Sequence, residues 1–314
     1  MRTTIDHDQV ENVLSMAKAI ELSRVAFRLQ TEGKLVQPLR GILDGGDDGL
    51  LGTMPVLVNE GDYKGFSIKS VLVRFDPIGK HASHSGVVLV YDEPEVGVVS
   101  SVDAGAITAI RTAAASAYAT DLLASQQPCT IAILGTGLQA RTHLQAVSHV
   151  REIVRVNIWG RTPARVDEFV AWASKEFDVP IVKSTSVREA AEEATVICAT
   201  TASASPILSR ADLPEAVHVN AIGASTPAFQ ELSADVFQDA TLFTDSNEAV
   251  LAASAAVQQA VEAGYLKKPD VGTEVGSILS TRWNEADGTT VFKSVGLAVQ
   301  DAVTARYVVR ESNS

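Results

Sequence analysis

The chain has 314 residues, of which 46% are hydrophobic and 20% charged, and its formal net charge is −12 at pH 7. That length supports two domains with sizeable cores, and the apolar content excludes a disordered chain. The acidic balance, with no basic stripe to neutralise phosphates, excludes nucleic acid and anionic membrane as partners.

Cys129 and Cys198 are the only cysteines. Each stands beside a predicted buried strand without metal-ligand spacing, so both read as reduced core residues and no metal site is expected. The first residues carry no apolar stretch of the signal-peptide kind, and no apolar run reaches membrane-spanning length. The expectation is a soluble, cytoplasmic protein.

In chain order, residues 8–30 have helical spacing, with Val13, Ala17, Ile20, Val25 and Phe27 supplying an apolar face. A hairpin-like unit follows, 34–43 and 50–58 around the turn at 44–49. Further strands are predicted at 66–74, 87–91 and 96–101, and such close spacing implies a largely antiparallel sheet. Residues 103–123 form a long Ala-rich helical stretch that bridges two domains. From Cys129 the rhythm becomes strand–helix alternation, with strands at 131–134, 154–159, 181–183, 195–199, 217–222 and 242–244. That alternation predicts a doubly wound parallel sheet. Residues 294–310 form a last helix, expected to return to the first domain. The fold class is therefore α/β: a Rossmann-type doubly wound parallel sheet (119–290) plus an α+β substrate-binding and dimerisation domain (1–118 with 291–314).

The stretch after the first parallel strand carries a dinucleotide-binding pattern, Gly135-Thr136-Gly137-Leu138-Gln139-Ala140. Gly135 permits a tight turn, Gly137 lets the backbone approach a pyrophosphate, and Ala140 allows close packing of helix on strand. The second strand ends at Gly160-Arg161-Thr162, where an NAD-specific fold usually places an acid for the ribose 2′-hydroxyl. A guanidinium there can pair with a 2′-phosphate, so the preferred cofactor is NADPH (NADP) rather than NADH. The bland alternative makes Arg161 a solvated helix-start residue. Arg165 and Thr200 complete the candidate cofactor set.

Seven segments point the same way: Gln37-Pro38-x-Arg40, Met54-Pro55, Ile68-Lys69-Ser70, Thr108 to Ser116, Gly135 to Ala140, Ile222 to Leu232, and Ser294 to Asp301. With them, in that order, the chain resembles the ornithine cyclodeaminase/mu-crystallin family over nearly its full length. The resemblance implies a homodimer built on the first domain and an active site lying between the two domains. It also implies that Arg40, Lys69 and Arg111 bind a substrate carboxylate. Their charges lie in mainly apolar surroundings, where an unpaired cation is costly and a bound carboxylate would relieve it. The alternative is that each pairs with an Asp or Glu of its own chain. His84 falls where the crystallin branch also has a histidine, and either lines the pocket, hands over a proton, or makes only a local hydrogen bond.

Ser225 departs from the cyclodeaminase pattern, which has an aspartate at that place to accept protons from the substrate amine. A serine hydroxyl cannot act as that base near neutrality. Ser225 and Arg161 together argue for NADPH-dependent reduction of a small 2-imino acid, such as Δ1-pyrroline-2-carboxylate or Δ1-piperideine-2-carboxylate. An alanine-type dehydrogenase, a cyclodeaminase with altered residues and a non-catalytic, NADPH-dependent crystallin-like binding protein are the rival readings.

Overall fold

The computed structural model describes residues 4–74, 84–91, 99–278 and 288–312, and divides the chain into two units. One unit comprises residues up to Arg111 together with Leu297–Ser314, and the other Thr112–Gly296. In the first unit, β1 (Thr4–Ile5) precedes α1 (His7–Val13) and α2 (Met16–Thr31). The single helix expected over 8–30 is two. Asp6 caps α1 through a reciprocal pair with Gln9, and the Ser15 hydroxyl accepts from the Lys18 N–H to start α2 afresh. That break rotates the apolar face. Val10, Leu14, Ala19, Leu22, Ala26 and Phe27 are buried, so of the five expected face residues only Phe27 is in the core.

A mostly antiparallel sheet follows, from β2 (Leu35–Val36), β3 (Gly41–Asp44), β4 (Leu50–Val58), β5 (Gly65–Val73), β6 (His84–Tyr91) and β7 (Val99–Asp103). Its order is β1-β7-β6-β5-β4-β2, with β3 beside β4. The parallel pairing of β1 with β7 was not expected, and residues 96–98 of the anticipated last strand lie outside the described residues. Asp103 then accepts the Ala106 N–H at 2.7 Å and opens α3 (Ala104–Leu123).

The second unit begins within α3. Its sheet runs β8 (Cys129–Leu134), β9 (Ile153–Trp159), β10 (Ile181–Lys183), β11 (Val196–Ala199), β12 (His218–Ala221), β13 (Thr241–Thr244), β14 (Thr273–Glu274) and β15 (Thr290–Lys293). All are parallel, in the order β10-β9-β8-β11-β12-β15-β13-β14. The helices between them are α4 (Leu138–Ser148), α5 (Pro163–Glu176), α6 (Val187–Ala191), α7 (Asn247–Ala253) and α8 (Ala255–Glu262). Both faces of this sheet are covered, which is why β8 reads as one continuous apolar run. Ile131 and Ile133 pack with Leu144, Val156 and Phe169 on one side, while Ala132 and Leu134 pack with Val219, Phe237 and Val257 on the other. The β15 strand, absent from the expected set, enters between β12 and β13. The order reverses between β8 and β11, the switch point at which such sheets bind ligands.

The chain closes with α9 (Ala298–Ser312), which packs on α2 and on β4 to β7 of the first unit. Among the described residues no helix is long and apolar enough to cross a membrane.

Candidate active site

Because the second sheet is parallel, the carboxyl ends of β8, β9, β11, β12 and β15 share one edge. Gly135, straight after β8, has φ +120°, and a Cβ there would stand 2.9 Å from both the carbonyl and the hydroxyl oxygen of Thr200. Thr200 is itself fixed by donating from its backbone N–H and its hydroxyl to the Leu134 carbonyl. Gly137 is different. It has φ −82°, it is the N-cap of α4 without a side-chain cap bond, and a Cβ there would meet nothing within 4 Å. Among the described residues no packing requires glycine at 137, and the open backbone at the helix N-terminus leaves room for a dinucleotide pyrophosphate. Thr136 is half-buried, Leu138 is exposed, Gln139 half-buried and Ala140 fully buried against the core.

After β9, a Cβ on Gly160 would come within 2.7 Å of Thr136 Cγ2, so any larger residue there must shift the Thr136 side chain. Arg161, Thr162 and Arg165 are exposed beside the α5 N-terminus. Thr162 is its N-cap, and its hydroxyl makes no capping bond.

In the first unit, Lys69 on β5 and Arg111 on α3 converge on Asp301 of α9, all three almost fully buried. Lys69 Nζ donates to Asp301 Oδ1 at 3.2 Å and Arg111 Nε to the same oxygen at 2.9 Å. Lys69 also donates to Thr108 Oγ1, whose own proton goes to the Ala104 carbonyl. Oδ2 of Asp301 is buried with no partner among the described residues. Burial pushes the Lys69 ammonium down to about 8; Asp301 opposes that, while Arg111 and Arg40 add to it. For Lys69 and Arg111 the chain therefore supplies one carboxylate itself, the alternative named for such cations. Two cations against one anion still leave the cluster positive, and half-buried Arg40 is near enough to act on Lys69. The terminal Nη groups of Arg111 and the third N–H of Lys69 have no acceptor among the described residues. His84 opens β6 opposite Val73; its side chain lies outside the described residues.

Ser225 is half-buried in the loop after β12. Two residues without an assigned role hold that loop. Buried Glu231 accepts from the Thr201 N–H and hydroxyl and from the Ala224 N–H, and buried Lys293 donates to the Ala221 and Ala224 carbonyls. Asp301 and Glu231 both lie inside motif segments, and a lone acid among core positions was the available signal for each. No His, Cys, Asp or Glu cluster among the described residues could hold a metal ion.

The family model of the ornithine cyclodeaminase/mu-crystallin family matches residues 2–314. Δ1-pyrroline-2-carboxylate reductase of Bacillus cereus is 32% identical over 309 residues, 97% of this chain and 94% of the relative. Ketimine reductase mu-crystallin of Macropus fuliginosus is 32% identical over 292 residues, 92% of this chain and 90% of the relative. Thermococcus litoralis Δ1-pyrroline-2-carboxylate reductase, solved in complex with NADH and L-proline, superposes with a TM-score of 0.92 at 29% identity, over 99% of this chain and 97% of that one. The chain belongs to the ornithine cyclodeaminase/mu-crystallin family.

Proposed function

We propose that the protein is an oxidoreductase that reduces the C=N bond of a small cyclic 2-imino acid, Δ1-pyrroline-2-carboxylate or its six-membered homologue, to the amino acid with a nicotinamide nucleotide. The observation that carries this reading is the positive Lys69–Arg111–Asp301 cluster, whose guanidinium tip has no acceptor among the described residues. A carboxylate is the complementary partner for a fork of parallel N–H donors. The relatives named for this reaction and the solved reductase with L-proline support the choice of substrate class.

A nicotinamide nucleotide, when bound, would supply the hydride for the imine carbon. Everything else falls to the chain. The glycine turn and the uncapped α4 N-terminus bind the pyrophosphate, and Thr200 keeps that turn in place. Arg111 and Lys69 orient the carboxylate and Arg40 adds charge. The imine nitrogen must gain a proton as its double bond is lost, and Lys69, titrating near 8, can give one close to neutrality and recover it from water. Ser225 offers no base for drawing protons from an amine, which sets this chain apart from ammonia elimination.

NADPH is the nucleotide this reading favours, on Arg161, Thr162 and Arg165 around Gly160, where a larger residue must shift the Thr136 side chain. A homodimer is supported by the first unit's sheet. On the face turned from α9, the rows Pro55–Ile68–Leu89 and Thr53–Ser70–Val87 present apolar and small side chains, with Phe66 51% exposed. Steady-state oxidation of NADPH and NADH tests the assignment, with both cyclic imines and with pyruvate plus ammonia as acceptors. Turnover of the imines with NADPH preferred is expected, and Arg161→Ala should weaken NADPH alone. Turnover of pyruvate plus ammonia only would make the protein an alanine-type dehydrogenase.

A further inference from the structure

The cluster around Lys69 is asymmetric in a way that carbon packing does not require. Two cations from different elements meet on one oxygen of a single, 1% exposed carboxylate, and the other oxygen has no partner among the described residues. Removing such a carboxylate would leave two buried charges uncompensated. The charged groups facing Lys69 are few. Asp301 comes from α9, Arg111 from α3 and Arg40 from the segment before β3. Its register neighbours on β4 and β6, Met54 and Val88, carry no charge.

We propose that Asp301 is a positioning residue: it fixes the Lys69 amine and the Arg111 guanidinium side by side, and it keeps Lys69 in the proton-bearing form as the substrate arrives. The assignment deepens the imine-reductase reading and rests on it for its place in the reaction. Asp301 does not touch substrate in this account; it acts through the two residues that do. Because Nε of Arg111 is held from behind, its Nη edge stays free for a carboxylate. Because Lys69 gives two of its three N–H groups to Asp301 and Thr108, one remains for the ligand. The three cations oppose one another, and the carboxylate is the sole anion among the described groups that act on Lys69. Neutralising it should shed the Lys69 proton first, since Arg cannot lose one.

The test is a direct titration of the Lys69 amine in the full-length protein, by pulse acetylation with acetic anhydride across pH and mass spectrometry of the Lys69 peptide. It needs no turnover, so it is separate from the substrate assignment. The wild type should show half-reactivity near pH 8. Asp301→Asn should move that midpoint down by a unit or more, and Asp301→Glu should restore it. The alkaline limb of kcat/KM for the cyclic imine should follow, so that the deficit of Asp301→Asn grows about fivefold or more from pH 6 to pH 8. A purely structural role would depress activity equally at all pH. If Asp301→Asn does not fold, Arg111→Met should move the midpoint upward by removing the opposing cation. An unmoved midpoint in the folded variants, or a wild-type midpoint at the ordinary ammonium value, overturns the proposal. A wild type that titrates as described but reduces no imine would sink the substrate reading and leave Asp301's hold on Lys69 standing.

Discussion

Gly135 and Gly137 stand two positions apart and are glycines for different reasons. At Gly135 the cause is internal, a positive φ and a Thr200 carbonyl that a Cβ would crowd. At Gly137 no neighbour among the described residues demands glycine, and the proposed cause is the approach of a nucleotide to the backbone. The two substitutions should therefore separate. Gly135→Ala should cost stability by roughly 1–3 kcal/mol in a urea titration of the protein without nucleotide. Gly137→Val should stay within about 1 kcal/mol of wild type in that titration, yet weaken NADPH binding tenfold or more, about 1.4 kcal/mol. Equal losses of stability would show that Gly137 answers to packing and not to a ligand. The sequence motif names both glycines and cannot tell them apart, because the difference lies in what surrounds each Cβ. The same holds for Lys69 and Arg111. Their segments are legible in the sequence, but Asp301, more than 180 positions from either, becomes their partner only once α9 is laid on the sheet.

Elements were legible where one local cause fixes them. The β8 run and the Ala-rich α3 both stand close to where their residues predict. The helix over 8–30 was misread because the Ser15 cap outweighs the periodicity through it. The short β15 was missed because it has no amphipathic signal; its four residues are buried and drawn into the sheet by β12 and β13 on either side. Two buried histidines give this unit a pH dependence. His143 on α4 lies against Ser116 and the Gln139 carbonyl, and His218 on β12 against Thr290 and Asn220. Burial holds both neutral, lowering them from 6.5 to about 4 and about 3. Above pH 6.5 neither the folded nor the unfolded chain carries these protons, and the two histidines cost nothing. As pH falls below 6.5 the unfolded chain takes up protons that the folded chain refuses, so stability is lost by about 1.4 kcal/mol per pH unit for each histidine. Buried Glu231, whose carboxyl is raised, works in the opposite direction at the acid end. The urea midpoint should accordingly fall between pH 6.5 and pH 5, and His143→Gln should remove about half of the histidine slope. A midpoint flat over that window would contradict the neutral burial of these two rings.

On the scale of the whole molecule, each unit has its own sheet and its own buried residues. The apolar face on the first unit's sheet bears on assembly. A row such as Pro55–Ile68–Leu89 facing water is costly for a monomer, and a second copy of the chain would remove it. Ile68→Glu should convert a dimer to a monomer in sedimentation velocity while leaving the far-UV spectrum intact; a wild-type monomer would refute the homodimer. The central claim is that hydride leaves the nucleotide for the carbon of a cyclic 2-imino acid. The most direct measurement follows that hydride. Δ1-pyrroline-2-carboxylate is incubated with NADPH deuterated at the transferring C4 position, and the products are read by mass spectrometry. Proline carrying one deuterium at its α-carbon, formed in step with oxidised nucleotide, is the predicted result. Oxidation of the nucleotide without labelled proline, or no oxidation in the presence of the imine, would contradict it.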